Sequence, residues 1–324
     1  MFFLTLLATI ILLSGCTSQT QKVYHVGILS GAEAFADIAD GFKAKMTELG
    51  YVEGKNIVYD VQKFNGDAAG EKQALKRFVE DDVDLIFAFP TDSSVEAKEA
   101  TQGTEIPVVF ALAGIEGNNL VESVQHPGGL ITGVRFNGPD NTVKRMEILL
   151  EIKPQSKLIG IFYDRNYPNT IPSLDALRSA APSLGITLVE VPFSSMEELI
   201  ASVEARSKLD DVGMDAILIM PEVLSQTPVG FGAIVKFANE QKLPIGGGMA
   251  YCADNGAVFS YIANNAEMGE LAAVSADKIF KGTPAGTIPL VTPESRLRIN
   301  YAAIQMLGLN VSEGLLARAD NIIR

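Results

Sequence analysis

Lys157–Thr170 reads KLIGIFYDRNYPNT. Leu158, Ile159, Gly160, Ile161 and Phe162 form a short apolar run of the length of a buried strand. The residues that follow, Tyr163-Asp164-Arg165-Asn166-Tyr167-Pro168-Asn169-Thr170, turn polar and aromatic. Pro168 punctuates them, and Asn169 or Thr170 can cap a following helix. A strand, a loop of reactive side chains and a helix start are the opening of an α/β lobe. Val23–Asp37, VYHVGILSGAEAFAD, opens in the same way. A pattern that begins near the N-terminus and again near the middle predicts two similar lobes with a cleft between them.

Outward from these openings, strand and helix alternate. In the first half, apolar runs at Val23–Leu29, Lys55–Val61, Val83–Phe89, Ile106–Phe110 and Leu130–Val134 read as strands. Between them, Phe35, Ile38, Phe42, Met46 and Leu49 recur at helical spacing, and Gly50 stops that helix. In the second half, the strands are Leu158–Phe162, Thr187–Val191, Ala216–Met220, Leu243–Ile245 and Ala257–Tyr261. A long helix is expected over Ala266–Phe280, and Arg296–Asn300 with a helix at Tyr301–Leu307 closes the chain. This alternation predicts α/β architecture with parallel, doubly wound sheets.

The chain has 324 residues, enough for two domains with their own cores. Its net charge of −13 argues against a nucleic-acid partner, which requires a basic face. Residues 1–16, MFFLTLLATIILLSGC, hold an apolar stretch too short to span a bilayer as a helix. Its end, Leu13-Ser14-Gly15-Cys16, resembles the lipobox of secreted lipoproteins, in which Cys16 receives lipid and becomes the mature N-terminus. No Lys or Arg precedes the apolar run, a departure from that pattern. An ordinary signal peptide or a short anchor is the alternative. Thr17–Lys22 then reads as a tether.

Several collinear stretches resemble one family: LGYVEGKNI (Leu49–Ile57), IPVVFA (Ile106–Ala111), PGGLITGV (Pro127–Val134), IGIFYDRNYPNT, LRINYAAIQMLGL and LLARAD (Leu315–Asp320). The chain is similar across its mature length to substrate-binding lipoproteins of ABC transporters, of periplasmic-binding-protein-like type I. More narrowly, it resembles the tryptophan/tyrosine-type substrate-binding proteins. The resemblance implies two lobes joined by hinge crossings, a small solute held between them, delivery to an ABC permease, and no catalysis or cofactor. On this basis residues 1–22 are the signal and tether. Lobe one comprises 23–135 plus about 262–290, and lobe two 136–261 plus about 291–324. The expected state is a monomer held outside the cytoplasm on the membrane by Cys16. A sensory module of the same fold, which signals instead of feeding transport, is the alternative.

Ligands of open α/β sheets sit beyond the carboxyl ends of the strands, and in two-lobed proteins at the domain interface. That selects Ser30 and Phe35, Thr91, Asp92 and Ser93, and Tyr163, Tyr167, Asn169 and Thr170, with Glu222 and Tyr251. Thr91, Asp92 and Ser93 fall where a helix begins, so they either meet a solute beside free backbone N–H groups or merely cap that helix. The Tyr163–Thr170 loop is similar to the family's ligand-contacting YNP-x-x-NS-like loop, with Asp164 in place of its Asn; a helix cap with surface tyrosines is the alternative. Glu222 keeps a carboxylate where the family carries Thr-Asp-Asn, and suits a ligand ammonium, or else is a solvated surface acid. Met249 stands where relatives carry an acidic residue, so Glu222 and Met249 both depart from the family's amino-acid site.

Other motifs fail on spacing. Asp164-x-Asn166 begins like a calcium loop but has Asn169 and Asp175 where Gly and Glu are needed, and no metal is expected. Gly246-Gly247-Gly248 lacks the Lys-Ser/Thr of a phosphate loop and reads as close backbone packing at the cleft. His25 and His126 are isolated, and Cys252 reads as a small packed side chain or a partly exposed thiol. Glu33, Asp92, Asp164 and Glu222 face Arg165 alone among the candidate loops. This favours a neutral or zwitterionic solute with an amino group and an apolar body.

Overall fold

The computed structural model describes residues 22–65 and 67–324, and the expected anchor at Cys16 lies outside the described residues. The first sheet has five parallel strands, β1 (Tyr24–Ser30), β2 (Ile57–Lys63), β3 (Leu85–Phe89), β4 (Val108–Ala113) and β5 (Ile131–Arg135), in the order β2-β1-β3-β4-β5. Between them run α1 (Ala36–Glu48), α2 (Ala68–Glu80) and α3 (Thr91–Ala100). The five residues of β3 are all buried, as a central strand covered on both faces requires.

The second sheet follows α4 (Gly138–Ile152). It takes in β6 (Leu158–Asp164), α5 (Thr170–Leu184), β7 (Thr187–Phe193), α6 (Met196–Ser207) and β8 (Ala216–Ile219). The chain continues through α7 (Pro228–Gln241), β9 (Ile245–Gly247), α8 (Ala250–Asp254) and β10 (Phe259–Ile262). Then α9 (Asn265–Phe280) returns to the first sheet, against α1, β4 and β5. The chain ends in the second sheet with β11 (Arg296–Asn300), α10 (Tyr301–Met306), α11 (Glu313–Ala317) and β12 (Asn321–Ile323). Its strand order is β12-β11-β10-β9-β8-β6-β7.

The two parallel lobes match the expected type I periplasmic-binding-protein fold. One detail differs: β11 runs antiparallel to β10 and carries the short β12 beside it. The reason is the path. The chain re-enters the second lobe from the cleft side, where β10 ends, so its next strand runs the opposite way. At three residues, β12 is too short for periodicity to reveal.

Each sheet reverses its strand order once, between β1 and β3 and between β6 and β8. Such switch points open a crevice beyond the carboxyl ends of the strands. Here those ends are Ser30, Phe89, Asp164 and Ile219, on the two sides of one cleft.

Three segments cross between the sheets, at 135–138, 262–265 and 291–296. Two are tied together: Arg135 N–H donates to the Val291 carbonyl at 2.8 Å, and Val291 N–H to that of Gly133 at 3.0 Å. Return of α9 depends on close approach. A Cβ on Gly41 would lie 2.1 Å from the Ala266 carbonyl oxygen, and one on Gly269 would lie 2.0 Å from that of Ile38. Around this contact Tyr51 donates to Asp277 at 3.0 Å, and Tyr24 stacks on Phe280 at 4.0 Å between centroids. Because backbone, not a flexible side chain, occupies the space, Gly269→Ala should destabilise the protein by about 1–3 kcal/mol in urea unfolding. An unchanged midpoint would show that α1 and α9 do not need this contact.

Candidate functional site

Two adjoining cavities lie between the lobes, and Phe35, Tyr167, Val223, Gln226 and Met249 line both. The inner chamber is closed by Pro90, Leu112 and Phe136 from the first lobe and its exit strand, and by Asn169, Glu222 and Gly248 from the second. It leaves about 30 Å³ for the centre of a water molecule, room for roughly two waters. The outer vestibule leaves about 720 Å³ and is edged by Glu33, Asp92 and Asp164.

Local backbone explains why these groups converge. Where β4 leaves the sheet its register with β5 shifts between Phe110 and Ala113, and Leu112 takes φ +51°, a left-handed conformation costly for a branched side chain. That kink delivers Leu112 to the chamber. On the opposite side, a single turn of 3-10 helix over Leu224–Gln226 curls back under Glu222. The Ser225 N–H donates to the Glu222 carboxyl at 3.0 Å, and the Gln226 amide to the Glu222 carbonyl at 2.6 Å.

Asn169 and Thr91 join the lobes across the cleft. Asn169 Nδ2 donates to Thr91 Oγ1 at 2.8 Å, and the same oxygen accepts from the Gly114 N–H at 3.0 Å. Neither side chain caps its helix: Pro90 precedes α3 without a side-chain cap bond, and Asn169 stands at the α5 N-cap without one. A residue expected either to cap or to bind thus spends its polar group across the cleft. The Thr91 hydroxyl also bonds the Tyr167 phenol.

Charge in the cleft is one-sided. Glu222 is 1% exposed, so it is no surface acid, and burial pushes its carboxyl up to about 8, with Asp164 adding to the rise. Burial also raises the Asp92 carboxyl, although the N–H groups of Asp92 and Ser93 partly offset it. Behind them Glu71, held by the Ser93 hydroxyl at 2.7 Å, is pushed up to about 7, again by burial. The Tyr167 phenol is held well above its ordinary value by burial first and then by Asp92. Neither cavity is lined by a Lys or Arg. Arg165 turns outward to Glu198 at 2.7 Å. The fully buried Arg145 bonds the carbonyls of Tyr261 at 3.0 Å and Gly248 at 3.2 Å, tying the end of β10 to the cleft loop; burial lowers its guanidinium to about 10.

Of the residues selected by sequence, Phe35, Asp92, Tyr167, Asn169 and Glu222 line the cavities, and Thr91 bridges them. Others stand elsewhere. Tyr163 points to the opposite face of its strand, into the core with Ile159 and Ile161, and donates to Glu190 at 2.9 Å. Ser30 is fully buried and donates to the Ala32 carbonyl, closing the turn after β1. Ser93 is committed to Glu71, and Thr170 is buried in the first turn of α5. Tyr251 supports the wall from behind: its hydroxyl bonds the Gln226 carbonyl and its ring meets Phe231 edge-on. Gln226, Leu112 and Phe136 went unselected. Phe136 lies in the first crossing, and its place there was the available signal; Leu112 depends on a kink that no periodicity announces.

Comparisons with known proteins agree with this geometry. Residues 25–323 match the family model described as ABC transporter substrate binding protein. A "Tyrosine-binding protein" of Clostridioides difficile (strain R20291) is 27% identical over 311 residues, covering 94% of this chain and 85% of that one. A solved domain from Streptococcus pneumonia in complex with L-Trp superposes with a TM-score of 0.84 at 23% identity, over 93% of this chain and all of that one. A conserved domain protein from Vibrio cholerae gives 0.83 at 27% identity, with the same coverage. With the family model spanning nearly every described residue, the chain belongs to the ABC transporter substrate binding protein family.

Proposed function

We propose that the protein is the extracytoplasmic receptor of an ABC importer that binds a small organic solute carrying an amino group on an apolar body, and hands it to the permease. The receptor role is the family's, and no metal-binding cluster of His, Cys, Asp or Glu occurs among the described residues. The reading of the solute rests on one observation: a buried carboxyl, Glu222, closes a cleft whose other walls are largely apolar. Phe35, Tyr167 and Met249 supply packing surface at the junction of chamber and vestibule.

Binding and closure are one event in this account. The crossings at 135–138, 262–265 and 291–296 act as hinges whose few residues absorb a rotation while both cores stay rigid. The Asn169–Thr91 bond belongs to the closed form, and a solute that touches both lobes shifts the population toward it. The permease then reads closure as occupancy. Membrane attachment through lipidated Cys16 completes the proposal, on the register of Leu13-Ser14-Gly15-Cys16.

Thr91→Ala and Asn169→Ala should each weaken binding of the tightest solute from a screen of amines, amino acids and sugars by about tenfold, with little loss of thermal stability. The double variant should lose solute-dependent compaction in solution scattering. An equal radius of gyration for the wild type with and without saturating solute would refute closure. For the anchor, Cys16→Ser should release the protein from membranes with binding intact; retention on membranes in high salt would place the anchor elsewhere.

A further inference from the structure

Two buried acceptors without partners belong to side chains that line the inner chamber. Asn169 and Gln226 are 6% and 7% exposed, and the amide oxygen of each is buried without a partner. Each amide nitrogen gives one N–H, to Thr91 and to the Glu222 carbonyl, while each oxygen has both its lone pairs unused. Glu222 adds a buried carboxyl to the chamber, and the unpartnered Oδ1 of Asp92 belongs to the vestibule beside it. An ammonium group carries three donors and no acceptor, and the chamber's room for roughly two waters suits a head group of that size.

A carboxylate has the opposite requirements. At the chamber mouth it would meet Glu33, Asp92 and Asp164, with no lysine or arginine lining either cavity. At an effective dielectric suited to a partly buried site, like charges a few ångströms apart repel strongly enough to decide between ligands. The first turn of α3 could give a carboxylate amide donors, but the N–H groups of Asp92 and Ser93 already face the Asp92 carboxyl. Arg145, the buried cation nearby, is absent from the lining of either cavity; its Nε and Nη2 bond two carbonyls, and its Nη1 is buried without a partner.

Resting on the receptor role proposed above, the geometry points to a solute that is a primary amine on an apolar or aromatic body without a carboxylate, a decarboxylated amine rather than an amino acid. The ammonium enters the inner chamber against Glu222, Asn169 and Gln226, and the body lies in the vestibule against Phe35 and Tyr167.

The test is calorimetric titration of the full chain with matched pairs: tyramine and L-tyrosine, tryptamine and L-tryptophan, phenethylamine and L-phenylalanine, with the methyl ester of each amino acid. In at least one pair the amine should bind about tenfold tighter or more than its amino acid. The ester, which keeps the bulk but loses the negative charge, should follow the amine. Tighter binding of the amino acids overturns the inference, and so does an ester as weak as the free acid, since size would then decide. If no member of any pair binds, the inference falls, while the receptor role stands provided that another solute, such as a sugar, still compacts the protein.

Discussion

Glu222 holds a carboxyl out of water with no cation beside it, and the cleft is arranged around that fact. Removing a carboxylate from water is costly unless a partner offsets it, and the usual partners are missing here. The backbone N–H groups of Ser225 and Leu224 favour its ionised form, while burial outweighs them and Asp164 works against it. The ligand-free group therefore keeps its proton near neutral pH. A cation delivered into the chamber reverses the balance, because the ionised form then gains a charge-assisted hydrogen bond. On the proposed reading, recognition and the resting cost of the buried carboxyl have the same origin.

Such a group can be tolerated only because the scaffold around it is firm. Each lobe is a doubly wound sheet whose single reversal of strand order opens the crevice, and the return of α9 binds the third crossing's approach to the first lobe. Glycines at positions 41 and 269 let two helices touch backbone to backbone. Arg145 links the end of β10, next to the second crossing, to the Gly248 loop, so the wall that carries Met249 is tied to that strand end. Between these firm parts the lobes meet across the cleft at Asn169 and Thr91, and Arg296 pairs with Glu267 of α9 beside the crossings.

Much of this was legible in the sequence because it depends on local signals. The two strand-loop-helix openings, the alternation that follows them and the stretches shared with the family led to the fold, to Phe35, Asn169 and Glu222, and to a cleft short of positive charge. What was missed turns on parity and path. The first strand of the second lobe continues to Asp164, two residues beyond its apolar run, and strict alternation then places Tyr163 with Ile159 and Ile161 instead of in the cleft. Likewise β1 runs to Ser30, whose hydroxyl closes the exit turn. Leu112 and Gln226 reach the site through a register shift and a single 3-10 turn, neither of which leaves a periodic trace. The antiparallel β11 follows from the direction in which the chain crosses back, a tertiary fact.

The claim that Glu222 waits as a buried, unneutralised carboxyl is tested most directly by thermal unfolding of the ligand-free wild type and Glu222→Gln across pH 5 to 8. With its folded-state value near 8 against an ordinary 4.5, the folded protein holds this proton more tightly than the unfolded chain. Glu222 therefore contributes stability that is full below the ordinary value and is lost as pH rises toward 8. Glutamine, which keeps the acceptor for Ser225 but cannot ionise, does not incur that loss, and Glu71 contributes equally to both proteins. The variant should melt within a degree or so of the wild type near pH 5 and several degrees above it near pH 8. A difference that stays constant over this range, or that shrinks as pH rises, would contradict the account.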